Sequence, residues 1–175
     1  MRMTLSRRLR FACLMFVLVC TVACDQSAKH IARAGLNQAG SVSLLGGLAE
    51  LRLAENPGSF LSLGALLPEP ARSAVFTFGV GIGLAALFAY LTCLTQLSVA
   101  HFIGLSLVMA GGLSNLLDRI LHDGLVTDFV IIHIGPFHTG VFNAADVLIM
   151  VGIGVIIWSL CKKNPPTSRT NPTPP

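Results

Sequence analysis

Charge is scarce in this sequence: only 11% of its 175 residues are Asp, Glu, Lys or Arg, against roughly a quarter in an ordinary soluble domain. So few charges cannot cover a water-facing surface. The apolar share is 53% and the mean hydropathy +0.74, which excludes disorder except locally and makes a bilayer the expected solvent. Paired cysteines are also lacking. Cys13, Cys20, Cys24, Cys93 and Cys161 form no CxxC and lie in or at the ends of apolar runs, so neither a disulfide framework nor a zinc site follows from them. They read as small hydrophobes in an apolar core. There is no His-Glu-x-x-His, and His122, His133 and His138 stand in an irregular series, which weighs against a metalloprotease. No inverted repeat is visible, which weighs against a carrier.

What basic charge there is gathers at the chain ends: Arg2, Arg7, Arg8 and Arg10 at one, Lys162, Lys163 and Arg169 at the other. A pI near 9.0 is therefore better explained by a membrane surface than by nucleic acid, and both termini are expected in the cytoplasm. From Ser73 to Leu117 there is no Asp, Glu, Lys or Arg. As one helix this run would extend roughly 68 Å, about twice the hydrocarbon thickness. It must cross twice, with the turn near Thr92–Gln96. Adding a run at Val141–Leu160 and a short one at Phe11–Cys24 gives four spans, near residues 11–30, 75–94, 97–117 and 141–160. The short one has to carry Asp25 into the interface to reach across. Four spans satisfy the parity that two inner termini demand.

The expected class is an all-α membrane protein, a four-helix transmembrane bundle forming one domain over residues 1–161. Small strands and loops lie on its outer side, at 34–72 and 118–140. A proline-rich, disordered tail follows at 162–175. Val42–Leu53 and Val126–Phe129 look like short strands. This topology carries Asp25, Asn115 with Asp118, and Asn143 with Asp146 to the same outer end. A carboxylate near hydrocarbon costs several kcal/mol unless it is paired or faces a wet cavity, and marks a functional site by default. A wet pocket at the outer interface is the expectation.

Asp25 and Lys29 are four apart and share a helix face; an ion pair easing the helix end and a place in the site both remain open. Asn56-Pro57-Gly58 makes a turn that can aim the Asn56 amide at a ligand. Asn115, Asp118 and Arg119 lie on one face, with Arg119 the expected counter-charge of Asp118. Asp128 sits in the strand-like run, and Asp146 lies five residues into the last apolar stretch.

The series Asp25-Gln-Ser-Ala-Lys29, Asn56-Pro-Gly-Ser-Phe60, Gly111-Gly-Leu-Ser-Asn115-Leu-Leu-Asp118-Arg119, Val126-Thr-Asp128-Phe and Phe142-Asn143-Ala-Ala-Asp146, in this order, resembles lipoprotein signal peptidase, or signal peptidase II. It covers roughly residues 11–160. The resemblance implies an aspartic endopeptidase of the bacterial cytoplasmic membrane. Such an enzyme removes signal peptides from prolipoproteins, cutting before a diacylglyceryl-modified cysteine, with its active site near the outer face. Its catalytic pair falls on Asp128 and Asp146. The substrate-binding or orienting set falls on Asp25, Lys29, Asn56, Gly58, Asn115, Asp118, Arg119 and Asn143. No cofactor and no metal are implied. The partners are the prolipoprotein substrate and membrane lipid, and a monomer is expected.

Ala28, Ser114 and the Asn-Pro-Gly-Ser-Phe form depart from the usual pattern and are expected to bear on the substrate-facing surface. Two carboxylates sharing a proton suffice for peptide hydrolysis: the ionised one activates water and the protonated one polarises the carbonyl. Asp118 is the rival third carboxylate, and a non-catalytic carrier or lipid-binding scaffold the rival function. Thr21-Val-Ala-Cys24 also looks like a lipobox, but Thr21 suits one poorly and cleavage there would delete the first span.

Overall fold

The computed structural model describes residues 6–57, 67–93 and 97–162. Helix α1 runs unbroken over Arg7–Ala39, straight through Cys24. Ser6 caps it, accepting from Leu9 N–H at 3.3 Å, and Gly40 ends it at φ +72°, a conformation open to glycine at little cost. A meander follows: β1 (Ser41–Leu44), a 3₁₀ turn at Leu45–Gly47 and β2 (Ala49–Asn56). Then α2 (Glu69–Ser73), a π-helical segment (Ala74–Gly79) and α3 (Val80–Cys93) continue as one helix, Glu69–Cys93. Helix α4 (Val99–Leu121) leads into β3 (Val126–Ile134) and β4 (Phe137–His138), and α5 (Ala144–Cys161) closes the fold.

Four helices are long and apolar enough to cross a membrane, at the four expected places but with shifted ends. The first extends well past residue 30. The second begins at Glu69 instead of Val75, because Pro70 stands in the first turn, where a missing N–H costs nothing. The fourth begins three residues late, because Asn143 caps it. The first outer loop is thereby bounded by Ala39 and Glu69, and the second is shifted to lie between Leu121 and Ala144. Leu94–Gln96 of the expected inner turn, Gly58 and Phe60 of the outer turn, and Lys163–Pro175 of the tail lie outside the described residues.

The strands form one antiparallel sheet in the order β1-β2-β3-β4, with strands at both of the stretches expected to form them. Asn56 pairs with Val126 and Ala54 with Asp128 in the β2–β3 register. Phe142 is bridged to Val130, accepting from Phe129 N–H at 3.1 Å and from Val130 N–H at 2.9 Å. The start of α5 is thus stitched to β3.

One end of the bundle has an apolar core of Leu14, Leu18, Leu91, Leu97, Phe102, Met109 and Ala110. Large apolar side chains such as Phe16, Phe78, Ile82 and Met150 point outward, as a hydrocarbon solvent permits. Helices α4 and α5 meet backbone to backbone. A Cβ at Gly111 would stand 2.4 Å from the Ala145 carbonyl oxygen, and one at Gly104 2.7 Å from that of Gly152. Only glycine admits this approach, and it delivers Asn115 beside the first turn of α5.

Candidate active site

Asn143 and Asp146 are not a pair on one face within a helix, as the spacing suggests; they form the cap of α5. Asn143 Oδ1 accepts from Asp146 N–H at 3.0 Å and Asp146 Oδ2 accepts from Asn143 N–H at 3.2 Å, a reciprocal box that fixes both side chains at the helix start. Asp146 is therefore at the mouth of the bundle instead of five residues deep in it. Its Oδ1 accepts from Asn115 Nδ2 at 2.9 Å.

Asp128 arrives from β3. Asn143 Nδ2 donates to its Oδ1 at 2.6 Å, and Asn56 Nδ2 to its Oδ2 at 2.9 Å. Asn143 thus contacts both carboxylates at once. Its amide also reaches Asn115 Oδ1 at 3.2 Å and the Thr127 carbonyl at 3.3 Å. Burial raises the Asp128 carboxyl to about 6, and the charge of Asp146 pushes the same way. The Asn56 and Asn143 hydrogen bonds and the Lys29 charge pull against them. A carboxyl at that value holds or releases a proton close to neutrality.

Beneath this pair lies a second layer. Lys29 is fully buried and donates to Asp25 Oδ2 at 2.8 Å, Asp118 Oδ2 at 3.0 Å and Asn115 Oδ1 at 2.9 Å. All three ammonium donors are used, which is what makes a buried lysine tolerable. Asp25 also accepts from Ala145 N–H at 2.9 Å and Ser114 Oγ at 2.6 Å. Asp118 accepts from Gln26 Nε2 at 2.9 Å and Thr127 N–H at 3.0 Å. Apart from those with Lys29 and Gln26 of α1, the contacts of Asp25 and Asp118 end on the elements that carry Asn115, Asp128 and Asp146. This layer orients the upper one.

Two expectations change. The counter-charge of Asp118 is Lys29, from α1, and not its chain neighbour Arg119. Arg119 turns instead toward Phe76, with its guanidinium carbon 5.9 Å from the ring centroid, and donates to the Asn115 carbonyl at 3.4 Å. It lies within electrostatic reach of Asp146 and Asp128. Its buried Nε has no hydrogen-bond partner among the described residues. Ser114, expected to bear on the substrate-facing surface, is buried and holds Asp25 and Gln26 together.

Of the expected set, Asp25, Lys29, Asn56, Asn115, Asp118, Arg119, Asp128, Asn143 and Asp146 converge, and Gly58 lies outside the described residues. The histidines do not converge. His133 pairs with Glu50 at 3.1 Å and stacks near His138, whereas His122 meets Arg33. Gln26 and Thr127 join the site without a sequence signal of their own, each standing beside a residue, Asp25 or Asp128, that the pattern singles out.

Comparison with known proteins fits this geometry. A family model described as signal peptidase (SPase) II matches residues 17–162. Proteins named lipoprotein signal peptidase from Brucella ovis, Brucella canis and Brucella melitensis are each 31% identical over 143 residues, covering 82% of this chain and 86% of theirs. Among solved structures, a bacterial membrane enzyme determined by the in meso method at 2.3 Å superposes with TM-score 0.72 at 25% identity, covering 93% of this chain and 94% of that one. Another, at 1.9 Å, gives 0.76 at 25% identity, covering 87% and 95%.

Proposed function

The chain belongs to the signal peptidase II family, and from that premise we propose that it is an aspartic endopeptidase acting on prolipoproteins in the bacterial cytoplasmic membrane. It cleaves before the diacylglyceryl-modified cysteine, with Asp128 and Asp146 as the catalytic pair and both termini in the cytoplasm. The observation that carries the reading is Asn143, whose side-chain amide donates to the Asp128 carboxylate while its backbone N–H donates to that of Asp146, and which so makes one unit of a strand residue and a helix-cap residue.

In the mechanism, one carboxylate of the pair is ionised and takes a proton from water as the water attacks the scissile carbonyl. The other is protonated and hydrogen-bonds the carbonyl oxygen, then passes its proton toward the leaving amine. The raised Asp128 carboxyl suits the proton-holding role. Asn143, Asn56 and Asn115 keep the two groups in register. Arg119, with an unused buried donor, is suited to a substrate carbonyl or to charge developing on it. The carrier alternative gains nothing from this geometry, since Asp25, Lys29 and Asp118 close into one buried ion-paired cluster instead of lining a path.

The test is turnover of a lipidated precursor peptide by purified protein, with amounts equalised. Asp128→Asn and Asp146→Asn are each expected to lower kcat at least ~1000-fold, and the double variant little further, because residues acting as a unit are not additive. Activity is expected to survive EDTA. Substantial cleavage by Asp128→Asn, or loss of activity on chelation, would overturn the assignment.

A further inference from the structure

We propose that Arg33 is a positioning residue for Asp128, a tether from α1 to the strand that carries this carboxylate. The inference rests on the peptidase reading above. Between α4 and β3 the chain reverses through Asp123 at φ +51° and Gly124 at φ +85°. Asp128 follows only four residues later, so its position depends on how firmly that reversal is held at both ends.

Thr127, immediately before Asp128, is held from three helices. Its N–H donates to Asp118 of α4, and its carbonyl accepts from Asn143 at the start of α5. Its hydroxyl accepts from Arg33 Nη2 of α1. Adjacent side chains of a strand point to opposite faces, so Arg33 grips β3 from the side away from the Asp128 carboxylate. It touches neither catalytic group.

The other guanidinium nitrogen, Nη1, lies 2.7 Å from His122 Nε2. His122 Nδ1 lies 3.0 Å from the Asp118 carbonyl oxygen. A carbonyl only accepts and a guanidinium only donates, so the imidazole must carry its hydrogen on Nδ1 and accept on Nε2. Arg33 therefore bridges the reversal, with His122 on its near side and Thr127 on its far side. Asp25, Lys29 and Arg33 succeed one another at four-residue intervals along one face of α1. The first two fix α4 and α5, and the third fixes β3.

The experiment uses the full-length protein in detergent. Arg33→Ala and the near-isosteric Thr127→Val are each expected to lower kcat about 10-fold with KM changed less than about twofold. The double variant should fall no further, because both changes cut the same link. Arg33→Lys should recover part of the loss. Amide hydrogen exchange across residues 126–130 should rise in both single variants, a readout that needs no turnover. If the wild type fails to cleave the peptide, the peptidase reading fails, while the exchange data still judge the tether. Unchanged exchange in both variants, or a multiplicative loss of kcat in the double variant, would overturn it.

Discussion

Asp128 and Asp146 carry the same functional group in different settings. Asp128 is almost wholly buried and accepts from two side-chain amides, whereas Asp146 is half-buried and partly engaged in capping its own helix. The sign of a pH effect follows. Raising pH through about 6 removes the proton from Asp128 and with it the general acid of the proposed mechanism, so kcat/KM should decline on that side. Asn56 donates to the ionised form and lowers the inflection; Asn56→Ala should therefore move it to higher pH. A kcat/KM profile of wild type and variant, measured on the lipidated peptide, checks this. An inflection that moves to lower pH would contradict the assignment of the proton to Asp128.

Among the elements, the α4–α5 contact decides whether the site exists. Gly111 lies against the Ala145 carbonyl, one residue before Asp146 and one turn before Asn115. Gly111→Val would drive a branched side chain into backbone that cannot yield, at a cost of ~1–3 kcal/mol or more. It would also lengthen the Asn115–Asp146 hydrogen bond. Lower thermal stability together with lost cleavage is expected. Gly154 is a useful control, since its Cβ position is open: Gly154→Ala should alter neither. Thermal unfolding in detergent and a cleavage assay on both variants separate a packing effect from a general intolerance of α5.

For the whole molecule, the polar elements and the sheet gather at the end of the bundle opposite Arg7, Arg8, Arg10 and Lys162. Arg10 marks the other end, donating to the Leu91 carbonyl at 3.0 Å where α3 closes, and Lys162 lies 4.0 Å from the Trp158 ring centroid. If both termini lie inside, as proposed, accessibility labelling of single cysteines placed in an otherwise cysteine-free protein at Ser41, Gln96, His138 and Thr170 should report outside, inside, outside, inside. If Gln96 and His138 fell on the same side, the four-span arrangement with one outer site would be wrong.

The sequence by itself determined the solvent, the four spans, the presence of short strands and the helix face that Asp25 and Lys29 share. Each depends on a local signal: the length of an apolar run, a short β-branched or glycine-bounded apolar stretch, or a four-residue step along a helix. It also placed the polar groups at one end, because span parity is a counting matter. Only the tertiary structure decided that Lys29 rather than Arg119 neutralises Asp118, that Asn143 caps α5 and binds both carboxylates, that Ser114 is internal, and that Arg33 reaches Thr127. Those contacts join residues far apart in the chain. They depend on how closely elements approach and how each is rotated, which for α4 and α5 is set by backbone packing at Gly104, Gly111 and Gly152, and sequence spacing does not encode it.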